Sequence, residues 1–329
     1  DAAGVDFRAS QKSNGENFSS HRSVTQRTQN QPMEADLADG VDLLAGTAWM
    51  FGRAEFDQKF DYLILDEAGQ FSLANAVAIG GAARNLVLVG DPRQLAQPSK
   101  GTHPAGAGAS ALGHMLGEAR TLPDDLGIFL DQTYRLHPKI CAFISEIVYE
   151  GRLHSEPGCE RQAISGSDEL GGSGLRWRPV DHTGNRVDSK EEAQDVLDCY
   201  LALLGRTFAD KDGADRPVTA SDILVVAPYN AQVRMLKQKL PAGAWVGTVD
   251  KFQGQQAPVV IVSLTTSSLE DIPRGMEFLY SRNRLNVAVS RAQALTVLVG
   301  SPTLLEVKCR SVEQLRLANG LCRYVEMAT

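Results

Sequence analysis

Two short apolar runs, each closing on a defined polar turn, constrain this chain more than any other feature. Tyr62-Leu63-Ile64-Leu65 runs into Asp66-Glu67-Ala68-Gly69-Gln70, and a later Leu/Val run ends in Gly90-Asp91-Pro92-Arg93-Gln94-Leu95. Short apolar runs bounded by turn residues read as strands buried on both faces, the pattern of a parallel sheet covered by helices. In an open parallel sheet such strands deliver their polar ends to one crevice. An acidic pair on one strand and Asp-Pro-Arg-Gln on its neighbour would meet there, an arrangement that suits a magnesium-bound nucleotide.

The length, 329 residues, fits about two domains of ordinary size. Hydrophobic residues make up 43% and charged residues 22%, enough for proper cores, and no window approaches a membrane span, so no membrane partner is expected. A net charge of -7 excludes a uniformly basic coat, so any nucleic-acid contact must be a local groove. Cys141, Cys159, Cys199, Cys309 and Cys322 lie far apart with no CxxC pair, which reads as reduced thiols in a cytoplasmic protein. The chain opens on Asp1, and from Arg8 to Asn30 it is mostly Ser, Gln, Asn, Thr and charge. Residues 1–40 are therefore expected to be a loop or disordered remnant of a fragment whose upstream part is missing.

Strand and helix then alternate, the α/β pattern. A strand is expected over 41–50, ending in Gly46-Thr47, with a helix over 71–83 between the two opening runs, a Gly/Ala/Pro-rich loop at 100–110 and a helix over 109–120. This gives a first domain at 41–125 and a second at 126–329. The second opens on an expected strand at 127–130, then Tyr134-Arg135-Leu136-His137-Pro138 and a helix to Tyr149; 151–186 reads as irregular. Ser189 and Glu192 form a capping-box pattern before a helix, and strands are expected at 223–227, 245–249, 259–264 and 295–299, with a helix over 231–240.

Hydrolysing a nucleoside triphosphate requires Mg2+ at the phosphates, a group orienting water, and cations against developing charge. Asp66 suits the metal, through water, and Glu67 suits the attacking water; the plainer reading of this pair is acids complementing a helix N-terminus. Gln94 follows a tight turn and could reach a γ-phosphate, or belong to an ordinary loop. Arg135 follows Tyr134, which could stack on a base, and Arg291 closes a helical pattern from Arg284. Planar guanidinium forks match phosphate oxygens.

Asp66-Glu67-Ala68-Gly69-Gln70, Gly90-Asp91-Pro92-Arg93-Gln94-Leu95, Tyr134-Arg135-Leu136-His137-Pro138, Val249-Asp250-Lys251-Phe252-Gln253-Gly254 and Leu285-Asn286-Val287-Ala288-Val289-Ser290-Arg291-Ala292 stand in a telling order. That order and spacing resembles motifs II to VI of superfamily 1 helicases, in the branch of the nonsense-mediated-decay RNA helicases and the replication nuclease–helicases. The helicase half of bacterial RecB-like nuclease–helicase fusion proteins is similar. The resemblance implies an α/β fold of two RecA-like domains, parallel sheets flanked by helices, the first incomplete at its N-terminus, with ATP and Mg2+ as cofactors. It gives Asp66 and Glu67 the metal and water roles and makes Gln94 a γ-phosphate sensor. Arg135 and Arg291 become arginine fingers, and Tyr134 a stacking partner for adenine. Thr47, Tyr229, Asn230, Thr248 and Gln253 fall in segments that touch a single nucleic-acid strand, with DNA expected ahead of RNA.

Two departures stand out. No Gly-x-x-x-x-Gly-Lys-[Ser/Thr] occurs, so the phosphate loop, and with it any nuclease half, is expected upstream and this chain alone is expected to be inactive. Gln256 also stands where the family has a Glu near the nucleotide ribose. The expected activity is an ATP-dependent helicase or translocase; the alternative is a non-cycling RecA-like module that binds nucleic acid or a partner.

Overall fold

The computed structural model describes residues 5–13, 19–95, 106–117, 119 and 121–328. The chain forms two compact units, Asp1–Pro92 with Ala96–Gly117, and Arg93–Leu95 with Glu118–Thr329.

In the first unit the polar N-terminal stretch is not the expected loop. It carries β1 (Ala9–Lys12), β2 (Val24–Arg27) and α1 (Gln31–Ala38), and β3 (Leu43–Ala45) completes a parallel sheet of order β2-β1-β3. Composition missed these strands because polar groups hold them. Ser10, 1% exposed, donates to Asp36 Oδ2 at 2.7 Å, and Arg27 grips the same carboxylate through Nε at 2.9 Å and Nη2 at 2.6 Å. The Arg27 hydrogen bond holds the Asp36 carboxyl below the usual range, against the opposing effect of burial. The strand expected over 41–50 is shorter, giving way after Ala45 to α2 (Ala48–Phe51).

The two opening runs form β4 (Phe60–Leu65) and β5 (Ala83–Leu88), paired in parallel with Leu65 beside Leu88, and α3 (Leu73–Gly80) connects them. Ser72 caps α3 by accepting from Asn75 N. The expected burial on both faces changes in both strands: on β4 Leu63 and Leu65 are buried but Tyr62 and Ile64 are exposed, and on β5 Ala83 is buried while Leu86 and Val87 are exposed. The first half of the expected 100–110 loop lies outside the described residues, and the helix after it is α4 (Ala111–Leu116).

The second unit begins with β6 (Gln132–Thr133), α5 (Pro138–Val148), β7 (His154–Ser155) and β8 (Ala163–Ile164). Residues 127–130 form no strand, and Ile128 and Leu130 are exposed. The segment read as irregular contains β9 (Gly174–Pro179), after which come α6 (Lys190–Leu203), β10 (Thr207–Ala209) and β11 (Asp215–Pro217). β12 (Ile223–Val226), α7 (Asn230–Lys239), β13 (Trp245–Gly247) and β14 (Ala257–Ser263) follow. The unit ends with α8 (Met276–Leu279), α9 (Arg282–Val289), β15 (Ala292–Gly300) and α10 (Val312–Met327).

Its main sheet is parallel throughout, in the order β13-β12-β14-β15-β9. Alternation of period two splits its side chains between two cores. Leu224, Val226, Val260 and Val262 pack with Ile140, Phe143, Val287 and Leu321 from α5, α9 and α10. Ile223, Val225, Val259 and Ile261 pack with Val196, Tyr200, Leu203 and Leu236 from α6 and α7. Both units are thus α/β with parallel main sheets, and in the second unit β11-β10-β8 form a small antiparallel sheet as well.

Ser189 caps α6 as expected, accepting from Glu192 N at 3.1 Å. The Glu192 carboxylate does not close the capping box. It turns inward, fully buried, and accepts from Ser263 Oγ at 2.6 Å, Thr265 N at 2.8 Å and His182 Nε2 at 2.9 Å. Ser267 Oγ accepts from Asn185 N at 2.9 Å and lies 2.7 Å from His182 Nδ1, which ties the ring from its other side. Thr265, held this way, has φ +74°, a left-handed conformation costly for a β-branched residue. Glu192→Ala should therefore cost unit stability about 3–5 kcal/mol, because it strands three buried donors, and Glu192→Gln about 1–3 kcal/mol. Urea unfolding measures both, and values within 0.5 kcal/mol of the parent would show that the network carries no stability.

Candidate functional site

The acidic pair leaves the carboxyl end of β4 in a tight turn. Ala68 N donates to Val89 O at 2.9 Å, which ties the turn to the strand beside it. The turn and Gly90-Asp91-Pro92 touch backbone to backbone: a Cβ at Gly69 would lie 2.4 Å from Asp91 O, and one at Gly90 2.7 Å from Ala68 N. Only glycine allows that approach. The turn holds Glu67 at φ +53°, a conformation that costs a non-glycine residue about 1–3 kcal/mol and clusters at functional positions.

Both carboxylates are exposed. Asp66 Oδ1 accepts from Glu67 N at 2.8 Å, and Glu67 Oε2 from Gln70 Nε2 at 2.9 Å, which orients the pair while leaving oxygens open to solvent. Hard, partly free carboxylate oxygens suit Mg2+, which keeps much of its water. The donor set therefore fits a hydrated magnesium ion. It does not supply a triphosphate cradle, because the glycine-rich loop and its lysine are absent from the sequence. Thr47, also in the first unit, is exposed ahead of α2, and Trp49 two residues on is 87% exposed, a large aromatic that the sequence reading did not single out.

In the second unit Arg135, Gln256, Ser290 and Arg291 come together. Arg135 Nε donates to Gln256 Oε1 at 2.7 Å and Nη1 to Ser290 O at 3.2 Å, and burial pulls its guanidinium below the usual arginine range. Arg291 lies past the end of α9, at the start of β15, rather than on the helix. It is 4% exposed and donates to Val287 O at 3.1 Å and Gln255 O at 3.2 Å. The Gln256 departure is thus a hydrogen-bond partner of a candidate finger. Tyr134 is exposed, its hydroxyl donating to Gln132 Oε1 at 2.9 Å and its ring 5.9 Å from Lys211 Nζ.

Residues 93–95 belong to this unit. Asn283 Nδ2 donates to Gln94 O at 2.9 Å and Asn286 Nδ2 to Arg93 O at 3.1 Å. The sequence reading passed over these two asparagines, although their spacing of three places them on one face of α9.

The strand-binding candidates differ in access. Asn230 is exposed at the start of α7, and Thr248 and Gln253 are half-buried, with Gln253 Nε2 unpaired. Tyr229 is only 6% exposed, its ring 5.5 Å from that of Phe278. Burial pushes its phenol above the usual value, opposed by Thr266 and the charge of Arg274. Tyr229 accordingly offers no open face to a base.

A family model described as an AAA domain matches residues 115–303, and a second with the same description matches residues 5–97. Among curated proteins, the chain is 29% identical over 287 residues to the putative helicase mov-10-B.1 of Danio rerio, covering 75% of this chain and 28% of that protein. It is 28% identical over 293 residues to the DNA replication ATP-dependent helicase/nuclease DNA2 of Xenopus laevis, covering 78% and 26%. To the DNA polymerase alpha-associated DNA helicase A of Schizosaccharomyces pombe it is 27% identical over 256 residues, covering 74% and 37%. Among solved structures, the Arterivirus nonstructural protein 10 helicase matches with a TM-score of 0.42 at 14% identity, over 92% of this chain and 55% of that one. The chain spans about a quarter to just over a third of the length of these curated relatives. With the first model covering more than half of its residues, the chain belongs to the AAA-domain family.

Proposed function

We propose that this chain is the core of an ATP-dependent helicase or single-strand translocase with RecA-like domains. The observation that carries this reading is the exposed Asp66–Glu67 pair, clamped by the Gly69–Gly90 backbone contact with Glu67 in a left-handed conformation. A costly backbone held at two open carboxylates is what a site for a metal and an attacking water requires. Asp66 would hold Mg2+, which when bound supplies charge compensation at the phosphates. Glu67 orients the water and takes its proton. Arg135 and Arg291 supply cations against developing charge, Gln94 senses the terminal phosphate, and Tyr134 stacks on the base. Arg291, buried on carbonyls of its own unit, must exchange those bonds for phosphate to do so; Arg135 is already nearer solvent.

The phosphate loop would come from polypeptide outside these 329 residues. The nucleic acid is a single strand, with DNA proposed ahead of RNA; relatives named for DNA favour this, a relative named as a probable RNA helicase stands against it, and a nuclease partner draws on relatives named helicase/nuclease. Five free cysteines support a reducing, cytoplasmic setting; burial pushes the Cys141 and Cys199 thiols up to about 11 and about 12. The competing reading, a non-cycling module, draws on the missing loop and on Gln256 being tied to Arg135.

The isolated chain should show no ATP turnover above background. Robust hydrolysis that vanishes in Glu67→Gln would overturn the assignment of phosphate binding to an outside segment. In a longer protein that carries the loop, Glu67→Gln should keep ATP binding and lower turnover by roughly 10²–10⁴. Arg135→Ala should cost about 10³. Normal turnover in both variants would hand the site to the competing reading. Gln256→Glu should convert the hydrogen bond from the Arg135 guanidinium to a neutral amide oxygen into an ion pair and raise unit stability by about 1 kcal/mol. An unchanged unfolding midpoint in thermal denaturation would show that the two side chains do not stay paired in solution.

A further inference from the structure

Phe278, on α8, carries more than the Tyr229 ring. The guanidinium carbon of Arg274 lies 4.9 Å from its centroid and that of Arg284 lies 4.4 Å away. Two like charges thus sit within about one Debye length of each other on a single half-buried ring. Arg284 is offset by Asp250, with Nη1 to Oδ2 at 3.3 Å. Arg274 is exposed, and among the described residues it makes no hydrogen bond or ion pair, although the chain holds 40 acidic residues against 33 basic ones. A stacked arginine keeps its donors in the guanidinium plane, directed away from the ring edge and open to an anion.

We infer that Arg274, seated on Phe278 beside Arg284, is a contact for the phosphates of a single nucleic-acid strand; this rests on the helicase reading above. The ring holds the Arg274 guanidinium in a set orientation, which lowers the entropy lost on binding. An arriving phosphate relieves the repulsion between the two arginines, which Asp250 only partly offsets. The patch also adjoins the start of α7, because Phe278 packs on Tyr229, the residue just before Asn230. No acid lies in the first turn of that helix; the acids nearest the patch in sequence are Asp271 and Glu277, on either side of Arg274, and Asp250 is paired with Arg284. With Tyr229 buried and Phe278 covered by guanidinium groups, no bare aromatic face is offered to a base. Backbone contact of this kind positions a strand without reading its sequence.

The test is fluorescence anisotropy of the whole 329-residue chain with fluorescein-labelled oligothymidine and oligouridine at several salt concentrations. Arg274→Ala should weaken binding about tenfold and reduce the slope of log affinity against log salt by about 0.7. Arg274→Lys should keep the slope and recover part of the affinity. Arg316→Ala removes another exposed positive charge, on α10 and paired with Glu313, and should change neither quantity. Wild-type binding by Arg274→Ala, or an equal loss in Arg316→Ala, would overturn the inference while leaving the helicase reading standing. Failure of the unsubstituted chain to bind either oligonucleotide would overturn both.

Discussion

Every residue of β14 from Ala257 to Ser263 is buried, with apolar side chains packed into a core on each face of the sheet. A strand in that position has little room for an unpaired polar group, since stranding one costs as much as a core cavity; the Thr296 hydroxyl on β15, buried without a partner among the described residues, is an exception that bears this cost. Polar chemistry is therefore displaced to the strand ends. At the carboxyl end of β14, Ser263 and Thr265 are met by the Glu192 carboxylate, and Gln232 joins through a 3.0 Å bond to Ser263 Oγ. The neighbouring strand β12 ends at the same side in the turn that leads to Asn230.

The same constraint acts in the first unit, with a different solution. β4 and β5 end in turns that approach until only glycine fits at Gly69 and Gly90, and the carboxylates are held outward by that contact. Rigidity there comes from backbone contact. In the second unit it comes from a buried polar network, in which both oxygens of the Glu192 carboxyl group are hydrogen-bonded.

The candidate cations occupy two distinct environments. Arg135 and Arg291 are pinned to Gln256 and to backbone carbonyls around the junction of α9 and β15, so each must give up protein partners before it can serve a phosphate. Arg274 is exposed on a ring, and among the described residues it has no hydrogen bond or ion pair to give up. The first kind of site suits a group that acts at one point of a cycle, and the second a contact that is made whenever a strand is present.

The amino-acid sequence by itself determined the parallel α/β class and the placing of the long apolar strands, because a strand buried on both faces writes its burial directly as a run of Leu, Ile and Val. It also placed the Ser189 cap, a local interaction three residues long. Tertiary structure alone decided the rest. β1 and β2 became strands because Asp36, many residues away, pairs with Ser10 and Arg27. Residues 127–130, apolar enough for a strand, have no strand to pair with and stay exposed, whereas β9 does find β15. Tyr229 is buried and Arg274 is exposed because one aromatic ring, Phe278, lies between two loops that the sequence separates. Hydrophobic periodicity reports which faces are dry; it is silent on which distant polar groups will meet, since that depends on where the folded backbone brings them.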